Sequence, residues 1–132
     1  MRHVVDASAL LAYLFGERGD DVVADAIARG AHLSTVNLAE VLSIVASRGG
    51  DPADVAERLT RAGVLGEAII VEPCTLADAV ETARLRPLTR DHGLSLADRA
   101  CIALARRLAQ PALTADRTWA DARIDVEVAF IR

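Results

Sequence analysis

Four carboxylates in this 132-residue chain stand where solubility alone does not explain them: Asp6, Glu40, Asp98 and Asp116. Asp6 closes the β-branched run HVV and is followed at once by the helix-like SALLAYLF, so it reads as the carboxyl end of a strand, with apolar neighbours on both sides. Asp116 follows the apolar ALT by one residue, again at a strand's end. Glu40 and Asp98 fall in NLAE and SLAD, each read as the first turn of a helix. Carboxylates gathered together repel one another and raise each other's pKa unless a cation neutralises them. Ligation by oxygen alone selects hard ions, so the chemistry such a group offers is Mg²⁺ or Mn²⁺ binding and the activation of water. Each acid also has a plainer explanation. Asp6 caps a helix well, and NLAE and SLAD both have capping-box spacing. Capping accounts for an acid in a first turn; it does not account for Asp6 and Asp116 embedded in apolar strand endings.

Positioning these acids requires alternating elements. HVVD predicts a strand and residues 8–15 a short helix. An amphipathic helix over 20–29 ends at Gly30, and HLSTV predicts a second strand. NLAEVLSIVAS follows as a helix capped by Asn37, and DPADVAERLTRAG as a helix with Asp51 in the cap and Pro52 at its first position, where a missing amide is harmless. AIIVEP predicts a third strand, TLADAVETARLR a helix, TRDHG a polar loop and SLADRACIALARRLA a further helix. ALT is a short strand with a turn after it, and DVEVAFIR a closing strand of alternating polarity. Strands separated by helices predict parallel βαβ units and a helix-covered sheet, in which ligands bind beyond the carboxyl ends of the strands. No repeat or linker divides residues 1–132, and the length suits one domain.

Composition narrows the classes. Hydrophobic residues make up 52% of the chain, enough for a core. No apolar run of about 18 residues occurs, and Asp6 comes too early for a signal peptide, so the expectation is a soluble cytoplasmic protein with no membrane association. Cys74 and Cys101 lack metal-ligand spacing and read as buried, reduced thiols. His3, His32 and His92 are scattered, and His92 reads as a solvated turn residue. There is no lysine, which excludes a P-loop; a receiver-type phosphorylation site would lack its usual lysine, and an aspartyl-phosphate phosphatase would want an acid where Ser8 stands. Acids outnumber bases 19 to 15, which counts against a general nucleic-acid binder, yet setting the four acids aside leaves 15 against 15. All fifteen bases are arginines, suited to gripping phosphate, while 3% aromatics are too few for a base-stacking platform.

DASAL at 6–10, NLAEVLS at 37–43, LSLADRACIALA at 94–105 and LTADRTWA at 113–120 closely resemble the PIN-domain family, and within it the ribonuclease toxins of VapC-type toxin–antitoxin modules. The resemblance spans nearly the whole chain. It implies a three-layer α/β/α sandwich with a short parallel sheet, an acidic pocket and metal-dependent hydrolysis of RNA to 5′-phosphate and 3′-hydroxyl products. Asp6, Glu40, Asp98 and Asp116 match the family's acidic quartet, all four candidate ligands of Mg²⁺ or Mn²⁺, with Glu40 a possible base. Ser8 and Thr114 match supporting hydroxyls, and Asp121 is an outer acid or a solvated helix end. Arg99 or Arg117 could reach RNA phosphate. The resemblance further implies a homodimer and a cognate antitoxin, for which LLAYLF and VLSIVA could supply an apolar groove, although core packing explains most of their residues. Two rivals stand beside this reading: a non-toxin PIN nuclease of RNA processing, and a non-catalytic PIN-like binding module.

Overall fold

A computed structural model describes all residues 1–132. Val4 and Val5 show how the layers arise. They are adjacent in β1 (His3–Val5), so their side chains leave the sheet on opposite faces, and each is wholly buried in a different apolar cluster. Val5 packs with α1 (Ala7–Phe15), α2 (Asp20–Ala28), β2 (Ala31–Ser34) and α3 (Thr35–Ser47). Val4 packs with α7 (Leu96–Leu108) and with Trp119. Both faces of the sheet are therefore covered by helices, giving the α/β/α sandwich.

The remaining elements are α4 (Pro52–Arg61), β3 (Ile69–Glu72), α5 (Leu76–Arg84), α6 (Arg86–Thr89), β4 (Ala112–Thr114) and β5 (Val128–Phe130), with short 3₁₀ turns at Arg90–His92 and Arg117–Asp121. All five strands are parallel, in the order β3-β2-β1-β4-β5. From β1 the chain runs outward through β2 and β3, then returns to lay β4 on β1's other side. The β1/β4 junction is thus the point where the winding reverses, the place where open parallel sheets form a crevice.

Several boundaries depart from the sequence expectation. The closing strand is only Val128–Phe130, an edge strand paired with β4 alone. The helix expected over 75–86 breaks into α5 and α6, because Pro87 has no N–H to donate to the carbonyl a turn earlier. Asn37 does not cap α3. Ser34 does, accepting from Val36 N at 3.2 Å, so the helix begins at Thr35 and Glu40 lies in its second turn rather than its first. Capping failed as a guide here because β2 runs into α3 with no loop between them. Cys101 is buried as expected, but Cys74, just past β3, is exposed. His92 is half-buried with its Nδ1 shut away from any partner, not a solvated turn residue.

Candidate active site

Asp6 leaves the end of β1 and is 2% exposed. Its Oδ1 accepts from Ala9 N at 2.9 Å, capping α1, and from Ser8 Oγ at 2.7 Å. Its Oδ2 accepts from Thr114 Oγ1 at 2.6 Å, across the β1/β4 junction. Ser8 Oγ in turn accepts from Ala115 N at 2.9 Å, and Thr114 Oγ1 from Asp116 N at 3.0 Å. One network therefore joins the carboxyl ends of both central strands and holds Asp6 in a single orientation. The capping and cleft roles of Asp6 coincide, because the carboxylate that caps α1 also closes the strand.

Asp98 closes a capping box at the start of α7: its Oδ2 accepts from Ser95 N at 2.8 Å, while Ser95 Oγ accepts from Asp98 N at 3.1 Å. Its other oxygen accepts nothing from the chain. Asp116 likewise uses one oxygen, Oδ1, for Thr118 N and Oγ1 at 2.9 and 2.7 Å. Glu40 accepts no hydrogen bond from the chain and is half-buried.

Electrostatics ties the four together through Asp98. Burial pushes the Asp6 carboxyl up to about 6, against the pull of the Thr114, Ala9 and Ser8 hydrogen bonds, and the Asp98 charge pushes in the same direction. Burial raises Glu40, and the Asp98 charge raises it further. Asp98 is raised by burial, opposed by its Ser95 hydrogen bonds, and raised again by the Asp116 charge. The Cys101 thiol beneath them is pushed up by burial and by the charges of Asp6 and Asp98, so it stays protonated and offers no thiolate. No three of the chain's His, Cys, Asp and Glu side chains stand close enough to make a ready cage. The acids ring the crevice without converging, the arrangement expected of like charges facing one another. The donor chemistry is nevertheless that of a hard divalent cation: oxygen only, with free oxygens on Glu40, Asp98 and Asp116 and a rigid carboxylate at Asp6.

Two sequence candidates change character. Arg99, expected to face phosphate or solvent, is 8% exposed and donates Nη1 to the Thr82 carbonyl at 2.9 Å, so it lies inside the fold. It cannot reach across the crevice, because the residue after Asp98 on a helix points about 100° away. Arg117 is exposed, but its Nε donates to the Arg132 carbonyl at 2.8 Å and its guanidinium lies over the Phe130 ring at 4.7 Å. Asp121 ends a 3₁₀ turn in solvent and is no part of the crevice. One residue that sequence reasoning misplaced matters here. Asn37 is fully buried and donates Nδ2 to the Ala97 carbonyl at 3.0 Å, pinning α3, which carries Glu40, to the first turn of α7, which carries Asp98.

The PIN-domain family model matches residues 3–124. No curated protein sequence matches the chain. Among solved structures it is similar to a toxin–antitoxin complex from Klebsiella pneumoniae, at 15% identity and TM-score 0.70 over 98% of both chains. It is similar to VapC20 of Mycobacterium tuberculosis, a toxin that cleaves the sarcin–ricin loop, at 19% identity and TM-score 0.68 over 89% of this chain and 92% of the other. It is also similar to VapBC2 of Rickettsia felis bound to a promoter DNA fragment, at 13% identity and TM-score 0.71 over 98% of both chains. At these identities the likeness is one of fold.

Proposed function

The chain belongs to the PIN-domain family, and on that premise we propose that it is a metal-dependent endoribonuclease, the toxin of a toxin–antitoxin pair. The observation that carries the reading is the crevice at the winding reversal, which Asp6, Glu40, Asp98 and Asp116 ring and where Asp98 raises or is raised by each of the others. Asp6, Asp98 and Asp116 would hold Mg²⁺ or Mn²⁺, with Glu40 as a further ligand or water-positioning group. When bound, such an ion supplies positive charge at the scissile phosphate and lowers the pKa of attacking water.

The chain's own groups do the rest. Ser8 and Thr114 fix both oxygens of Asp6, so that carboxylate does not swing as RNA enters. Glu40, free of hydrogen bonds and raised by burial and by Asp98, is suited to take the proton of the attacking water. A bond forms from water oxygen to phosphorus and the bond to O3′ breaks, leaving 5′-phosphate and 3′-hydroxyl ends, with solvent protonating the departing oxygen.

The similar toxin–antitoxin complexes support a protein partner for this chain, and we take the working assembly to be a homodimer silenced by an antitoxin. The ends of α1 and α3 fit that role. Leu14, Phe15, Val45 and Val55 line an open notch of ≈ 310 Å³, and Phe15 is 42% exposed beneath the Arg48 guanidinium. The decisive experiment incubates purified protein with RNA in Mg²⁺ or Mn²⁺, in EDTA, and beside an Asp6→Asn variant. Cleavage that needs the metal and is lost in the variant is expected; metal binding without cleavage of any RNA refutes the enzyme reading in favour of a binding module.

A further inference from the structure

Three of the four crevice acids are held by helices. Asp6 caps α1, Glu40 lies within α3, and Asp98 closes the capping box of α7. Asp116 has no such support. It lies just past β4 and is followed only by the 3₁₀ turn Arg117–Asp121, 5 residues long. Its backbone is tied down, because Asp116 N donates to Thr114 Oγ1 at 3.0 Å and Thr114 Oγ1 donates to Asp6 Oδ2 at 2.6 Å. Its carboxylate can still turn about two side-chain bonds unless a donor on the turn catches it.

Thr118 supplies that donor twice over. Its N–H and its hydroxyl both donate to Asp116 Oδ1, at 2.9 and 2.7 Å. The N–H alone is what a cap residue accepts, so capping the turn does not require the hydroxyl. Two donors reaching one oxygen from different directions fix the plane of the carboxylate, where a single donor sets little more than a distance. Oδ2, which accepts nothing from the chain, is thereby held in one place. Thr118 is itself exposed, yet its neighbours are anchored. On one side Trp119 is buried in the core, and on the other Arg117 Nε donates to the Arg132 carbonyl at 2.8 Å. β-Branching further restricts the Thr118 side chain, so the hydroxyl is delivered from a fixed position.

We propose that Thr118 is a positioning residue of the crevice: its hydroxyl sets the orientation of the Asp116 carboxylate and keeps Oδ2 available to a divalent cation. The inference rests on the metal-dependent reading above and extends it to a residue that acts through Asp116. Groups that orient a ligating side chain raise metal affinity, and losing one costs about tenfold or more.

The test titrates Mn²⁺ into the whole metal-free protein by calorimetry, for the wild type, Thr118→Val and Thr118→Ser. Valine keeps the shape and loses the hydroxyl; serine keeps the hydroxyl. Metal-free melting curves and the Mn²⁺ dependence of RNA cleavage are recorded for the same three proteins. Thr118→Val is expected to weaken Mn²⁺ binding about tenfold at an unchanged metal-free melting temperature, with cleavage recovering at high Mn²⁺. Thr118→Ser should bind within about twofold of the wild type, because it restores the donor. Wild-type affinity in Thr118→Val overturns the proposal and leaves the ribonuclease standing. A weaker affinity that comes with a lower metal-free melting temperature assigns the hydroxyl to the fold and overturns it too, as does a serine variant no better than valine. Absence of Mn²⁺ binding by the wild type removes the metal-dependent reading and the proposal together.

Discussion

At the scale of the residue, the crevice is a set of acids kept ionisable at a cost to the fold. Asp6 titrates near 6 when folded, against 3.8 for an ordinary aspartate, chiefly because burial penalises its charge. Between those values the folded chain holds a proton that the unfolded chain has released. The stability linked to Asp6 is therefore full below about pH 4 and is lost as pH rises through about 6, a change of about 3 kcal/mol. Urea unfolding of metal-free protein should show Asp6→Asn gaining on the wild type by about that amount between pH 4 and 7; a gap independent of pH would contradict the assignment. Asp98 is raised too, so Asp98→Asn should leave the metal-free melting temperature unchanged or higher while abolishing cleavage. An active Asn variant would remove Asp98 from the machinery.

At the scale of the element, the crevice depends on helices that start at strand ends without slack. Ser34 both ends β2 and caps α3, and Asp6 both follows β1 and caps α1. Neither helix can shift along its axis without breaking a cap, so their acids hold their depth in the crevice. Asn37 adds the lateral tie between α3 and α7. Asn37→Ala takes the donor from the half-buried Ala97 carbonyl, a loss of about 1 kcal/mol. It should also raise the Mg²⁺ concentration needed for half-maximal cleavage, because Glu40 and Asp98 lose their common anchor. Calorimetry and a metal titration separate the two effects, and a loss of stability with an unchanged metal requirement would limit Asn37 to folding.

At the scale of the whole molecule, one end of the sheet carries the acids, while the notch at the ends of α1 and α3 offers an apolar foothold. The notch is the surface expected to hold the antitoxin. Phe15→Asp places a charge in it without touching the crevice, and should weaken capture of the antitoxin while sparing metal-dependent cleavage. Co-purification of the tagged pair measures this; undiminished capture would move the antitoxin elsewhere. The even charge balance outside the four acids fits a molecule that admits a polyanion once its crevice is neutralised.

Much of this was legible in the linear order. Strand and helix periodicity specified a parallel, helix-covered sheet, since alternating βα units have few other ways to bury both faces. Asp6 and Asp116 stood out because acids at apolar strand endings are costly unless they serve something. Local patterns could not say which side chains turn inward. Arg99 read as a surface arginine beside an acid, and only the packing of α7 against α5 buried it and gave it the Thr82 carbonyl. Asn37 read as a cap, and only the direct entry of β2 into α3 moved the cap to Ser34 and turned Asn37 toward Ala97. The residue types and their order were determined by the sequence. The linkage of four distant acids through Asp98 was decided by tertiary structure, because it depends on the strand order that brings β4 beside β1.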